Sequence, residues 1–155
     1  MAYCARTDVE MKTRRWMPTG FTTTTKPKAA DVEQFVTDIA AEIDAILAAD
    51  GITVPVTNAT AVAYLKHLNV LGAAALTADV LFPQATGEGE TPAGAKFEKR
   101  YQDGLARLES GDNPVALILS QAADTGGRAP ISHYTEMSSS DQELTEPHFT
   151  RDMEF

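Results

Sequence analysis

The sequence predicts a mainly α protein: a small bundle of three to four helices with an extended C-terminal tail. Three observations predict it. Apolar residues recur at three- and four-residue steps between about residues 29 and 111, the period of a helix with one buried side. Breakers and caps such as Gly51, Asn58, Pro83, Gly111 and Asn113-Pro114 fall between those runs. Beyond Gln121 no helical or strand period persists, although Ile131, Tyr134, Phe149 and Phe155 are spaced along the segment. The chain therefore reads as three parts. Residues 1–28 form a short helix and an extended connector, 29–120 the helical bundle, and 121–155 an interaction tail without a core of its own.

The elements follow in order. Thr7 and Glu10 have the S/T-x-x-E spacing of a capping box, which predicts a short helix over Asp8–Trp16, ended by Pro18 and Gly20. Phe21 and the four threonines after it are extended in character. Pro27 prepares the entry to the next helix. Val32, Phe35, Val36, Ile39, Ile43, Ile46 and Leu47 then form one apolar stripe, while Glu33, Asp38, Glu42 and Asp44 fall largely off it; Gly51 is the C-terminal cap.

Asn58 or Thr57 caps a third helix that runs to about Phe82. Its second half, around Val70 to Ala75, is apolar nearly all round, as in a helix contacted on two sides, and Gly72 with the alanines lets a neighbour approach closely. That neighbour is the second helix or an adjoining subunit. Thr91-Pro92 predicts the start of a fourth helix, with Phe97, Tyr101, Leu105 and Leu108 at helical spacing. After Asn113-Pro114, the run Val115, Leu117, Leu119 fits a short helix or a buried strand, and periodicity leaves both open.

Charge is distributed unevenly. The chain carries a net -9, yet residues 1–28 hold Arg6, Lys12, Arg14, Arg15, Lys26 and Lys28 against only Asp8 and Glu10. This basic head on an acidic body suits contact with an acidic surface; a solvated helix with chance asymmetry is the alternative. Lys12, Arg14, Arg15 and Trp16 are the candidate interaction residues here, for an acidic partner protein or, as a small basic-aromatic patch, for nucleic acid. The overall acidity argues against nucleic-acid binding by the chain as a whole. With Cys4 as the single cysteine, no internal disulfide can form. The most apolar stretch, Val70–Phe82, is interrupted by Asp79, and no membrane partner is expected.

No catalytic constellation emerges, and the expectation is a protein that is not an enzyme and uses no cofactor and no metal. His67 has Leu71 rather than a ligand at its i+4 position and reads as a polar position at a packed interface. His133 and His148 lie in the tail. Gly87-Glu88-Gly89-Glu90 resembles a phosphate loop but carries two acids and no following Lys-Ser/Thr, so it would repel phosphate. Gly126-Gly127-Arg128 is a turn rather than an anion nest. In the tail, Tyr134, Phe149 and Phe155 are the candidate anchors for a partner's groove.

A larger pattern joins these pieces. Ala2-Tyr3-Cys4-Ala5-Arg6-Thr7-Asp8-Val9 precedes Lys26-Pro27; Asp31-Val32-Glu33 leads into Ile39–Leu47 and the link Gly51-Ile52-Thr53-Val54-Pro55-Val56. A long Ala-rich helix follows, then Phe97-x-x-x-Tyr101-x-x-Gly104-Leu105-x-x-Leu108. Over residues 2–111 this arrangement resembles the head–tail connector (adaptor, or head-completion) proteins of tailed bacteriophages. The resemblance implies a structural virion protein, made in the host cytoplasm, whose copies form a ring, commonly a dodecamer, between the portal protein and a downstream neck, stopper or tail protein. DNA would pass through the ring's channel without specific binding. The family brings no catalytic residue to carry over. A small helical nucleic-acid-binding regulator and an accessory subunit of a larger complex are the rival readings.

Overall fold

Aspartate or asparagine side chains take up free N–H groups at the start of four of the described helices. In the computed structural model, which describes residues 2–83, 94–110 and 113–124, the helices are α1 (Arg6–Thr13), α2 (Ala29–Ala49), α3 (Ala59–Leu81), α4 (Ala95–Glu109) and α5 (Pro114–Asp124). Among the described residues there is no strand, and the mainly α class is as the sequence predicts. Met1–Ala122 is one compact unit; the second, Ala123–Phe155, contributes only the last two residues of α5 to the described set. Helix α5 carries residues 121–124 of the segment expected to be extended, because the run after Pro114 continues as helix to Asp124; the rest of the predicted tail lies outside the described residues.

The caps explain most boundaries. At α3, Asn58 Oδ1 accepts from the backbone N–H groups of Thr60 (3.0 Å) and Ala61 (3.2 Å), as predicted. At the end of α2, Gly51 has φ +77°, Gly51 N–H donates to Ala48 O, and Ile52 N–H donates to Leu47 O. This paired closure stops the helix and leaves Ile52 on the same apolar cluster as Leu47. The start of α1 differs from expectation. Asp8, not Glu10, reaches back, accepting from Ala5 N–H at 2.9 Å. Glu10 is instead engaged by Arg6 and by the N–H of Phe21. At α2, Asp31 likewise accepts from Lys28 N–H.

The connector after α1, expected to be extended, bends: Thr25 Oγ1 accepts from Thr22 N–H and lies 2.8 Å from Pro27 O, and Ala29 N–H donates to Thr22 O. The threonine hydroxyls supply local partners that compete with an extended backbone. Helix α4 is described from Ala95, with Gly94 O accepting its first helical bonds, and the expected start at Thr91-Pro92 lies outside the described residues. A Cβ on Gly94 would lie 3.0 Å from Ala78 Cβ, so glycine lets the chain before α4 approach α3 closely. For the run after Pro114 the structure chooses helix. Asn113, buried, accepts from Val115 N–H and donates to Leu108 O and Asp50 Oδ2, tying the start of α5 to the ends of α4 and α2.

Helix α3 is the centre. From Leu68 through Ala78 every residue except the partly buried Leu76 is buried, against α2, α4 and the N-terminal segment. The neighbours of its second apolar side are thus supplied within the chain, and that side is not left for another subunit. Gly72 lies between α2 and α4: an added Cβ would meet Ile39 Cγ2 at 2.9 Å and Tyr101 Cε2 at 3.1 Å. Gly104 does the same for α4, where a Cβ would be 2.2 Å from Leu68 Cδ2. Buried polar groups are matched. Asn69 accepts from the Cys4 thiol and donates to Val36 O, while Thr13 and Thr77 bond back to carbonyls four residues earlier.

Candidate interaction surfaces

The basic segment picked out by the sequence divides in the structure. Lys12, Arg14 and Arg15 are exposed. Trp16 is half-buried and holds two aromatic rings edge-on, Phe82 at 5.5 Å and Phe97 at 5.9 Å between centroids. Arg15 stacks its guanidinium 4.9 Å from the Trp16 ring centre. Trp16 therefore joins the segment after α1 to the end of α3 and the first turn of α4. Phe82, at 39 % exposure, keeps one edge in solvent. Part of the basic head is also consumed within the chain: Arg6 bonds Glu10 and, across to α2, Glu33 at 2.9 Å.

On the first half of α3 the covering is incomplete. Ala63, Lys66 and His67 are exposed between α1 on one side and α4 on the other. A groove between α1 and α3 is lined by Asp8, Met11, Lys12, Ala63, Lys66, His67 and Val70. A second, between α3 and α4, is lined by Tyr64, His67, Leu68, Leu71, Arg100, Asp103, Gly104 and Arg107. His67 lines both and so forms the ridge between them, exposed within the single chain. Lys66 Nζ lies 2.8 Å from Asp8 Oδ1. That bond, followed by the Ala5 N–H, holds the Asp8 carboxyl below its ordinary value. Met11, at 67 % exposure, stands over the first groove.

Helix α2 presents the opposite chemistry. It carries Asp31, Glu33, Asp38, Glu42 and Asp44 and no lysine or arginine. Two of these acids receive tyrosine hydroxyls: Tyr101 donates to Glu42 at 2.6 Å and Tyr3 donates to Asp44. Burial first, then the carboxylate partner, pushes both phenols well above their ordinary value. A further groove, lined by Gly51–Thr53, Pro55–Thr57, Ala116 and Leu119, separates the α2–α3 link from α5, where Leu117 is exposed.

Other candidates are placed as follows. Cys4 is buried, and burial, then the nearby Asp8 charge, pushes its thiol up to about 11. Among the described residues no group of three or more His, Cys, Asp or Glu side chains is placed to hold a metal ion, and no helix is long and apolar enough to cross a membrane. The tail anchors Tyr134, Phe149 and Phe155, with His133 and His148, lie outside the described residues. Sequence reading passed over Tyr64, Lys66, Arg100 and Arg107 as parts of a surface. Each is an ordinary polar position on its own helix, and only the packing of α1 and α4 on α3 gathers them. Comparison with protein-family models, with curated proteins and with solved structures finds no match.

Proposed function

We propose that this chain is a non-enzymatic connector of a tailed-bacteriophage virion. Copies form a ring, twelvefold in the reading by resemblance, between the portal protein and a downstream neck, stopper or tail protein. The observation that carries the reading is the division of labour along the chain. Residues up to Ala122 build a unit that completes its core from its own side chains. The 33 residues from Ala123 to Phe155 follow it, with Tyr134, Phe149 and Phe155 spaced along them. A self-sufficient core followed by a segment carrying aromatic residues suits a body that assembles and an arm that grips. The connector resemblance itself rests on the pattern of lengths and residue types over residues 2–111.

The electrostatics support the same role. A chain of net -9 repels a phosphate backbone, which suits a channel wall past which DNA must slide without adhering. The arm contributes aromatic anchors rather than a catalytic group. The test is attachment to portal-bearing heads in vitro. Deleting residues 145–155, which removes Phe149 and Phe155, is expected to weaken attachment at least tenfold, about 1.4 kcal/mol. Undiminished attachment would remove those two residues from the grip.

A further inference from the structure

Two surfaces of opposite sign lie on different sides of α3. On one, Asp31, Asp38 and Glu42 are exposed along α2, seven and four residues apart. That spacing puts them in one line of about 16 Å, with the exposed Ala41 and Ala45 beside it. On the other, Lys12 of α1, Lys66 and His67 of α3, and Arg100 and Arg107 of α4 border the paired grooves. The lysines and arginines there outnumber Asp8 and Asp103, in a molecule whose total charge is -9. No α2 residue lines either groove.

We propose that the chain associates with itself head to tail, the acidic outer face of α2 on one copy seating across the basic α1–α3–α4 face of the next. This rests on the ring reading above and names its faces. An isologous contact through either face would set like charges against like, whereas the heterologous contact pairs α2 carboxylates with Lys12, Arg100 and Arg107. Repetition of one such contact closes a ring when the rotation divides the circle. Met11 supplies the apolar contact, its flexible thioether meeting the low surface of Ala41 and Ala45. Because the paired charges lie at the surface, the association weakens as salt is raised.

The test uses the full chain with two single substitutions, Asp38→Cys and Arg100→Cys, treated with a short bismaleimide; the buried Cys4 serves as the unmodified control. The mixture of the two variants is expected to give a covalent dimer joined through the two introduced thiols, and neither variant alone to do so. A double variant, Arg100→Glu with Arg107→Glu, is expected to keep the helical circular dichroism and to lose self-association at least tenfold. The same samples are assembled on portal rings. Portal assembly without the mixed cross-link overturns this inference and leaves the connector reading standing. A mixed cross-link from a chain that ignores portals sustains the inference and removes the connector. Equal cross-linking within either single variant, absence of association in every sample, or duplex DNA binding through Arg100 and Arg107 in place of self-association overturns it.

Discussion

Helix α3 behaves as two different elements end to end. Between Leu68 and Ala78 it is enclosed by α2, α4 and the N-terminal segment, and Gly72 and Gly104 remove the side chains that would hold the helices apart. Between Ala59 and His67 only one side is enclosed, and Ala63, Lys66 and His67 face outward between α1 and α4. The enclosed half carries stability and the open half offers a surface. One uninterrupted helix can serve both ends because its neighbours, not its own backbone, decide what is covered. The Trp16–Phe82–Phe97 cluster joins the segment after α1 to α4 at the enclosed end.

Substitutions can break or sharpen this contrast. The largest effect is expected from Leu71→Ala in the enclosed half, about 2–5 kcal/mol lost in chemical denaturation, because its side chain is buried in the main core cluster. A loss under about 1 kcal/mol would show that the enclosed half is looser than its burial implies. Next comes Gly104→Ala, at the boundary between the halves. The new methyl group forces Leu68 aside at a cost of about 1–3 kcal/mol, and the helix preference of alanine over glycine returns about 1 kcal/mol. A net loss is expected; a gain in midpoint would mean that Leu68 repacks freely.

The pH dependence sharpens the open half. Asp8 has a carboxyl pKa below its ordinary 3.8, so its contribution is fully present above that value and is lost as pH falls through the lower, folded-state value. In Lys66→Ala the chief cause of that shift is gone. The acid limb of the stability curve, followed by circular dichroism, should then move to higher pH; an unchanged limb would assign it to other carboxylates. The smallest effect is expected from His67→Ala, within about 0.5 kcal/mol in stability, because the side chain is exposed. A larger loss would mean that the ridge between the grooves is a packing element.

Much of the enclosed half was legible in the sequence. The α2 stripe from Val32 to Leu47, Gly51 as its stop and Gly72 as a close-approach position all follow from local spacing, as does Asn58, the cap at the open end of α3. What was not legible required contacts between distant residues. Ala5 and Asp8 displaced the Thr7–Glu10 box because Glu10 is drawn to Arg6 and the backbone of Phe21. Gly94 lies close to Ala78, sixteen residues earlier, with no room for a side chain between them. Asn69, polar in the middle of an apolar helix, is explained only by Cys4 and Val36. The open surface shares this origin: Lys66, Arg100 and Arg107 are ordinary polar positions one at a time and join Lys12 and His67 in a surface only once α1 and α4 flank α3.

The central claim is that this chain assembles beneath a portal. The most direct measurement is the mass and the electron-microscope image of portal rings before and after the purified full chain is added. The account predicts a stoichiometric gain in mass and an added ring coaxial with the portal. A chain that stays monomeric and leaves every portal preparation unchanged in mass and image would contradict it.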